Sequence, residues 1–217
     1  MCGIVGAVAK RDVTPILIKG LQRLEYRGYD SAGIAVHDAG QTQRVRSVGK
    51  VQSLVDAIAH NPVSGVTGIA HTRWATHGNV TEANAHPHMA GDRISLVHNG
   101  IIENFRVLRE ELIAAGHVFT SDTDSEVIVH LIDSYLTDGV DLLDAVRAAL
   151  QRLEGAFALC VISAAEPERM IVTRLGSPLI IGKGIGENFV ASDVLALRAV
   201  TDRFIYLEEG DLVSLMA

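Results

Sequence analysis

Three observations predict a layered α/β body for this sequence. Strand-like apolar runs fall in two groups, one before residue 100 and one after residue 155. Three helical stretches lie between the groups, and short glycine-containing turns separate several of the later strands, which favours antiparallel neighbours. Strands able to lay one face on helices and the other on a second sheet stack as layers.

Taken in order, residues 2–9 read as a buried strand. Residues 13–24 carry Val13, Ile16, Leu17, Gly20, Leu21 and Leu24 at the spacing of one helical face, with Asp12 placed to cap the helix and Arg27-Gly28 to end it. Residues 32–37 and 44–48 form a hairpin across Asp38-Ala39-Gly40, and residues 51–60 a helix. Buried strands are expected at 65–72 and 94–98, with a long polar loop between them. Helices follow at 105–115, 125–136 and 142–153, the second entered through Asp122-Thr123-Asp124. The remaining strands are 156–163, 170–173, 179–182, 189–191, 204–207 and 212–215. No repeat, low-complexity segment or linker interrupts the chain, so residues 1–217 read as a single domain.

Composition narrows the class. The chain has 217 residues, 48% hydrophobic and 21% charged, which is enough for a sizeable core. A net charge of -7, with no Lys or Arg cluster longer than a dipeptide, argues against a nucleic-acid partner. The opening apolar run ends at Lys10-Arg11, too short for a signal-peptide core, and no segment approaches the length of a membrane span. A cytoplasmic protein with no membrane partner is expected. Of the two cysteines, Cys160 sits in the apolar run 157–162 and reads as core.

Cys2 has two readings. Buried in a first strand it is a small core residue. With Met1 removed it carries both a thiol and a free α-amine, whose pKa values of about 8.5 and roughly 7.7 to 8.0 allow proton exchange near neutral pH. Nucleophile and base then share one residue.

Three further stretches can carry chemistry. In His71-Thr72-Arg73-Trp74-Ala75-Thr76-His77-Gly78, Arg73 at a strand end is either a bidentate carboxylate clamp or a surface ion-pair partner, and Trp74 has a core alternative. Asn99-Gly100 offers a side-chain amide beside an approachable backbone N–H, suited to a developing oxyanion, but taken alone it reads as a tight turn. In Ser121-Asp122-Thr123-Asp124-Ser125-Glu126, helix capping explains most of the pattern, leaving one carboxylate able to face a cleft and hold an ammonium group. His71, His77, His86, His88 and His98 crowd the same region without the spacing of a defined zinc site, so no metal and no cofactor are expected.

Cys2-Gly3-Ile4-Val5-Gly6, the stretch from Leu24 to Gly33, and these three stretches occur in one order. Together they resemble the glutaminase domains of the glutamine-fructose-6-phosphate aminotransferases, within the class II glutamine amidotransferases. The resemblance spans essentially the whole chain and implies an α+β fold, a four-layer αββα sandwich of N-terminal-nucleophile hydrolase type. It also implies roles. Cys2 attacks the side-chain amide of glutamine with its own α-amine as base, while Asn99 and Gly100 stabilise the tetrahedral intermediate. Arg73 binds the α-carboxylate, Thr76 and His77 line the same pocket, and Asp124 pairs with the α-ammonium. Trp74 corresponds to a lid residue and Arg27 to one near the nucleophile; a structural role stays open for both. Amidophosphoribosyltransferase is similar at Cys2 and Asn99-Gly100 but usually differs around Arg73 and Trp74. A non-catalytic glutamine sensor and another hydrolase of the same fold remain as alternatives.

The resemblance further implies L-glutamine and glutamate as ligands, a sugar-phosphate isomerase domain as partner and a homo-oligomeric parent enzyme making glucosamine 6-phosphate. Members continue into that second, larger part, whereas this sequence stops at Ala217, so an isolated glutaminase domain is expected. With Met1 retained, the Cys2 amine would be locked in a peptide bond and the base lost.

Overall fold

The computed structural model describes residues 2–38, 40–74, 78–137 and 139–217. The amino-terminal half opens with β1 (Gly3–Val8) and α1 (Thr14–Leu24), a 3-10 turn at Glu25–Arg27, the hairpin β2 (Ser31–Asp38) and β3 (Gln41–Val48), and α2 (Val51–His60). Next come β4 (Thr67–Arg73), β5 (His88–Ala90), β6 (Ile94–Ile102), α3 (Phe105–Ala114), α4 (Ser125–Tyr135) and α5 (Leu142–Leu150). The chain closes with β7 (Gly155–Ser163), β8 (Met170–Leu175), β9 (Ile180–Lys183), β10 (Asn188–Ala191), β11 (Phe204–Tyr206) and β12 (Leu212–Leu215). Asp12 caps the first helix as expected, its Oδ1 accepting from the Thr14 N–H at 3.0 Å and also from Gly65 N–H at 3.2 Å.

Two departures from the sequence reading matter. The expected polar loop before β6 contains a short strand, β5, whose three residues are too few for a periodic signal. And β6 runs through Asn99-Gly100 instead of turning there: Gly100 has φ 138° and stays in register opposite Phe157 of β7.

The sheets also cut across the two sequence groups. A seven-stranded sheet runs β11-β9-β10-β1-β4-β2-β3 and a five-stranded sheet β12-β8-β7-β6-β5, every ladder antiparallel. Late strands β9 to β11 thus flank β1, while β5 and β6 join the late strands β7 and β8.

Three apolar cores define four layers. Leu17, Leu21 and Leu24 of α1 and Leu54 of α2 pack with Val5, Ala7, Ile34 and Val36 on the outer face of the larger sheet. On the outer face of the smaller sheet, Val127, Ile128 and Ile132 of α4 and Val146 of α5 meet Leu96, Leu159 and Val161. Between the sheets lie Ile4, Val8, Ile69, Val97, Ala158, Cys160, Ile162 and Met170, alternating with the outward residues as strand geometry requires. Each of the Ile, Val, Leu and Met side chains contributes roughly 1.5–3 kcal/mol by leaving water. Cys160 is fully buried there, as its apolar neighbours predict, and burial pushes its thiol well above the usual cysteine range. The helices outside and the sheets between make the αββα order.

Candidate active site

Strand parity gathers the site. Ile4 and Val8 of β1 face the space between the sheets, and Cys2 shares their parity. β4 pairs with β1 so that Ile4 stands opposite His71, and His71 and Arg73 share the parity of inward-facing Ile69. On β6 of the other sheet, Asn99 follows inward-facing Val97 by two. The ends of three strands therefore deliver Cys2, His71, Arg73 and Asn99 to one edge of the central layer.

A cavity of about 530 Å³ opens at that edge. It is lined by Cys2, Arg27, Arg73, Trp74, Asn99, Gly100 and Asp124, seven of the nine residues singled out in the sequence, together with His86, His98, Glu103, Ser125 and Ser177. Thr76 and His77, like Met1, lie outside the described residues.

Cys2 is half-buried. Its Sγ accepts a hydrogen bond from the Trp74 N–H at 3.2 Å and lies 3.5 Å from the Trp74 carbonyl oxygen. Burial pushes the thiol pKa above its usual value, and the Trp74 N–H, which favours the thiolate, pulls the other way. The thiol is thus held in place and mostly protonated until a base takes its proton.

Asn99 is 8% exposed and joins the two sheets. Its Nδ2 donates to the Cys2 carbonyl at 3.2 Å, and its Oδ1 accepts from His71 Nε2 at 2.9 Å. Beside it Gly100 has no alternative residue: a Cβ there would stand 1.9 Å from the Ala156 carbonyl oxygen. The amide and the backbone beside it line the cavity wall facing Cys2.

Arg73 and Asp124 bring opposite charges to this cavity. Arg73 is only 4% exposed, which excludes the surface ion-pair reading. Its guanidinium donates to the carbonyls of Asn79 at 3.2 Å and Gly78 at 3.3 Å and approaches Asp30 at 3.8 Å. Asp124 does not cap α4; Thr123 Oγ1 does, accepting from the Glu126 N–H at 3.3 Å. The Asp124 carboxylate instead accepts from the Ile102 N–H at 2.8 Å, fastening the head of α4 to the end of β6. Arg27 donates to the Ser192 carbonyl at 3.3 Å and pairs with Asp193 at 3.7 Å. Trp74 is 54% exposed, so it is not core. Its ring lies against Gly28, where a Cβ would come within 2.3 Å of it.

A family model described as a glutamine amidotransferase domain matches residues 71–199. The chain belongs to this glutamine amidotransferase family. Among curated relatives, the glutamine-fructose-6-phosphate aminotransferases (isomerizing) of Pseudomonas putida and Pseudomonas aeruginosa are each 62% identical over 216 residues, and that of Vibrio cholerae is 58% identical. Each match covers 99% of this chain but only 35% of the relative, so the chain spans about a third of their length. Among solved structures, the glutamine phosphoribosylpyrophosphate amidotransferase of B. subtilis superposes with a TM-score of 0.83 at 26% identity, over 99% of this chain and 49% of that one. A predicted glutamine amidotransferase from Pseudomonas aeruginosa shares the fold, with a TM-score of 0.62 at 17% identity over 99% and 97% of the two chains.

This amidotransferase domain keeps three of its histidines, His71, His86 and His88, buried and in contact. The rings of His71 and His86 stack at 4.0 Å, and His88 meets His86 edge-on at 4.6 Å. Desolvation lowers the pKa of His71 and of His88 to about 3 each and that of His86 well below the usual value, so all three are neutral. Ring-to-ring contact accounts for the crowding of these three. Among the described residues no group of three or more His, Cys, Asp or Glu is placed to hold one, and no helix is long and apolar enough to cross a membrane. His71 and Glu103 carry no sequence signal beyond their neighbourhood. Only the parity of β4, read together with Arg73, points His71 inward.

Proposed function

We propose that this chain hydrolyses L-glutamine to glutamate and ammonia, with Cys2 as amino-terminal nucleophile once Met1 has been removed. The observation carrying this reading is the joint placement of Cys2, tied to the Asn99 amide, in one cavity with a buried Arg73 and a buried Asp124. Arg73 clamps the α-carboxylate of glutamine and Asp124 the α-ammonium, a charge pair that rejects ligands lacking either group. The family resemblance assigns Thr76 and His77 to glutamine binding as well.

The free α-amine of Cys2 takes the thiol proton and Sγ attacks the side-chain amide carbon. The carbonyl electrons move onto oxygen, where the Asn99 amide and the Gly100 N–H stabilise them. Collapse expels ammonia, protonated by the same amine, and leaves a thioester. Water attacks that thioester, releasing glutamate and restoring the thiol. Trp74 and Arg27 act beside the nucleophile, Trp74 as a cover that rests on Gly28.

The relatives' names suggest that in a longer chain the ammonia would serve amino transfer to fructose 6-phosphate; the family resemblance adds glucosamine 6-phosphate as product, a cytoplasmic setting, a sugar-phosphate isomerase domain as partner and a homo-oligomeric parent enzyme. Identity of 62% to those aminotransferases, against 26% to the phosphoribosylpyrophosphate enzyme, favours this parent. The test is glutamate release from L-glutamine by chain whose intact mass shows that Met1 is absent. Turnover lost on Cys2→Ala is expected; no turnover with a free Cys2 amine would remove the glutaminase reading.

A further inference from the structure

The amide of Asn99 must point its NH2 group, and not its oxygen, toward a developing oxyanion, and the two ends of an amide have nearly the same shape. Two carbonyls settle the orientation, because a carbonyl can only accept. The Cys2 carbonyl lies 3.2 Å from one end of the Asn99 amide, so that end is Nδ2. The His98 carbonyl lies 3.1 Å from His71 Nε2, so that ring nitrogen carries a hydrogen. The same Nε2–H is 2.9 Å from the other end of the Asn99 amide, which must therefore be Oδ1.

We propose that His71 is the positioning residue of the oxyanion hole: its Nε2–H, held in that tautomer by the His98 carbonyl, locks the Asn99 amide with its NH2 toward the reacting carbon. The inference rests on the glutaminase reading above. His71 suits the task because it is 1% exposed and stacked on His86, so its ring has little freedom. Its own Nδ1 has no hydrogen-bond partner and faces no competing donor among the described residues. Without His71, a flipped Asn99 would aim Oδ1 lone pairs at the oxyanion and repel the charge it should stabilise.

His71→Leu keeps the bulk and removes the N–H, whereas the amide of His71→Gln can donate to both the His98 carbonyl and Asn99 Oδ1. Loss of a whole oxyanion donor costs about 100- to 1000-fold, so partial misorientation in His71→Leu should lower kcat roughly 10- to 100-fold with KM within about 3-fold. His71→Gln should recover most of that loss. Alkylation of Cys2 by iodoacetamide displaces iodide at a saturated carbon and needs no oxyanion hole, so its rate should be unchanged in both variants. Should His71→Leu not fold, His71→Asn, too short to reach Asn99, takes its place with the same expected loss of kcat. A wild-type kcat in the Leu or Asn variant overturns the proposal, as does a parallel fall in Cys2 alkylation or a Gln variant as impaired as Leu. No turnover by the wild-type chain with a free Cys2 amine would instead sink the glutaminase reading, and this proposal with it.

Discussion

Asn99 Nδ2 donates to the carbonyl oxygen of Cys2 at 3.2 Å, a bond that crosses from the five-stranded sheet to the seven-stranded one. The bond fixes the spacing between the nucleophile and its oxyanion donor across a layer boundary, where neither sheet alone would set it. Asn99→Ala should lower kcat for glutamine by about 100- to 1000-fold with little change in KM, since the donor works only once charge has developed. Steady-state kinetics on chain with a free Cys2 amine decide the matter. A loss confined to KM would make Asn99 a substrate-binding group instead.

Gly100→Ala tests the other half of the same wall. At φ 138°, and with a Cβ 1.9 Å from the Ala156 carbonyl, β6 and β7 must separate or twist to admit it. Strain of about 1–3 kcal/mol is the usual cost of such a backbone conformation, and the overlap adds to it. A fall in Tm of roughly 5 °C or more is expected, with a matching loss of kcat. An unchanged Tm would mean that the strands do not approach so closely.

Apolar periodicity together with capping signals located α1 to α5 to within a few residues, because each buries a stripe of apolar residues. Which strand joins which sheet was not legible: β9 to β11 return to flank β1, and pairing of that kind depends on contacts distant in sequence. Asn99-Gly100 shows the limit of local signals most clearly. The dipeptide has turn chemistry, yet the ladder to β7 keeps it within the strand, and only the resemblance tipped the reading toward an oxyanion role. Asp124 likewise reads as a cap in sequence, whereas its carboxylate reaches back to Ile102.

Arg73→Lys separates a planar clamp from a bare charge. The guanidinium is spread over the Gly78 and Asn79 carbonyls while facing Asp30, a fork that a lysine ammonium cannot reproduce. If Arg73 binds the α-carboxylate, kcat/KM for glutamine should fall about 10- to 100-fold, chiefly through KM. An unchanged value would remove Arg73 from the binding site and leave it as a staple for the segment around Asn79.

Acid should unfold this domain early, for a reason visible in the histidine cluster. His71 and His88 have pKa values of about 3 in the folded chain, His86 lies well below the usual value, and an unfolded histidine has one of about 6.5. The unfolded chain therefore takes up these protons first. The stability that the neutral rings contribute is complete above pH about 6.5 and drains as pH falls from there toward 3. Between pH 7 and 5 each such ring costs about 2 kcal/mol, so three together rival the total stability of an ordinary domain. Glu126 adds to the loss at lower pH. Burial works to raise its pKa, but His130, 3.7 Å away, and hydrogen bonds from Thr120 and Ser121 at 2.7–2.8 Å more than offset this, and its carboxylate stays ionised well below the usual range. Urea unfolding at pH 7 and 5 measures the effect. A marked drop in the midpoint is expected, and His71→Gln, which cannot take up a proton, should flatten the slope by about one proton's worth. Equal midpoints at the two pH values would show that the rings can be protonated in the folded state, and that the stacked, neutral arrangement around His71 does not hold.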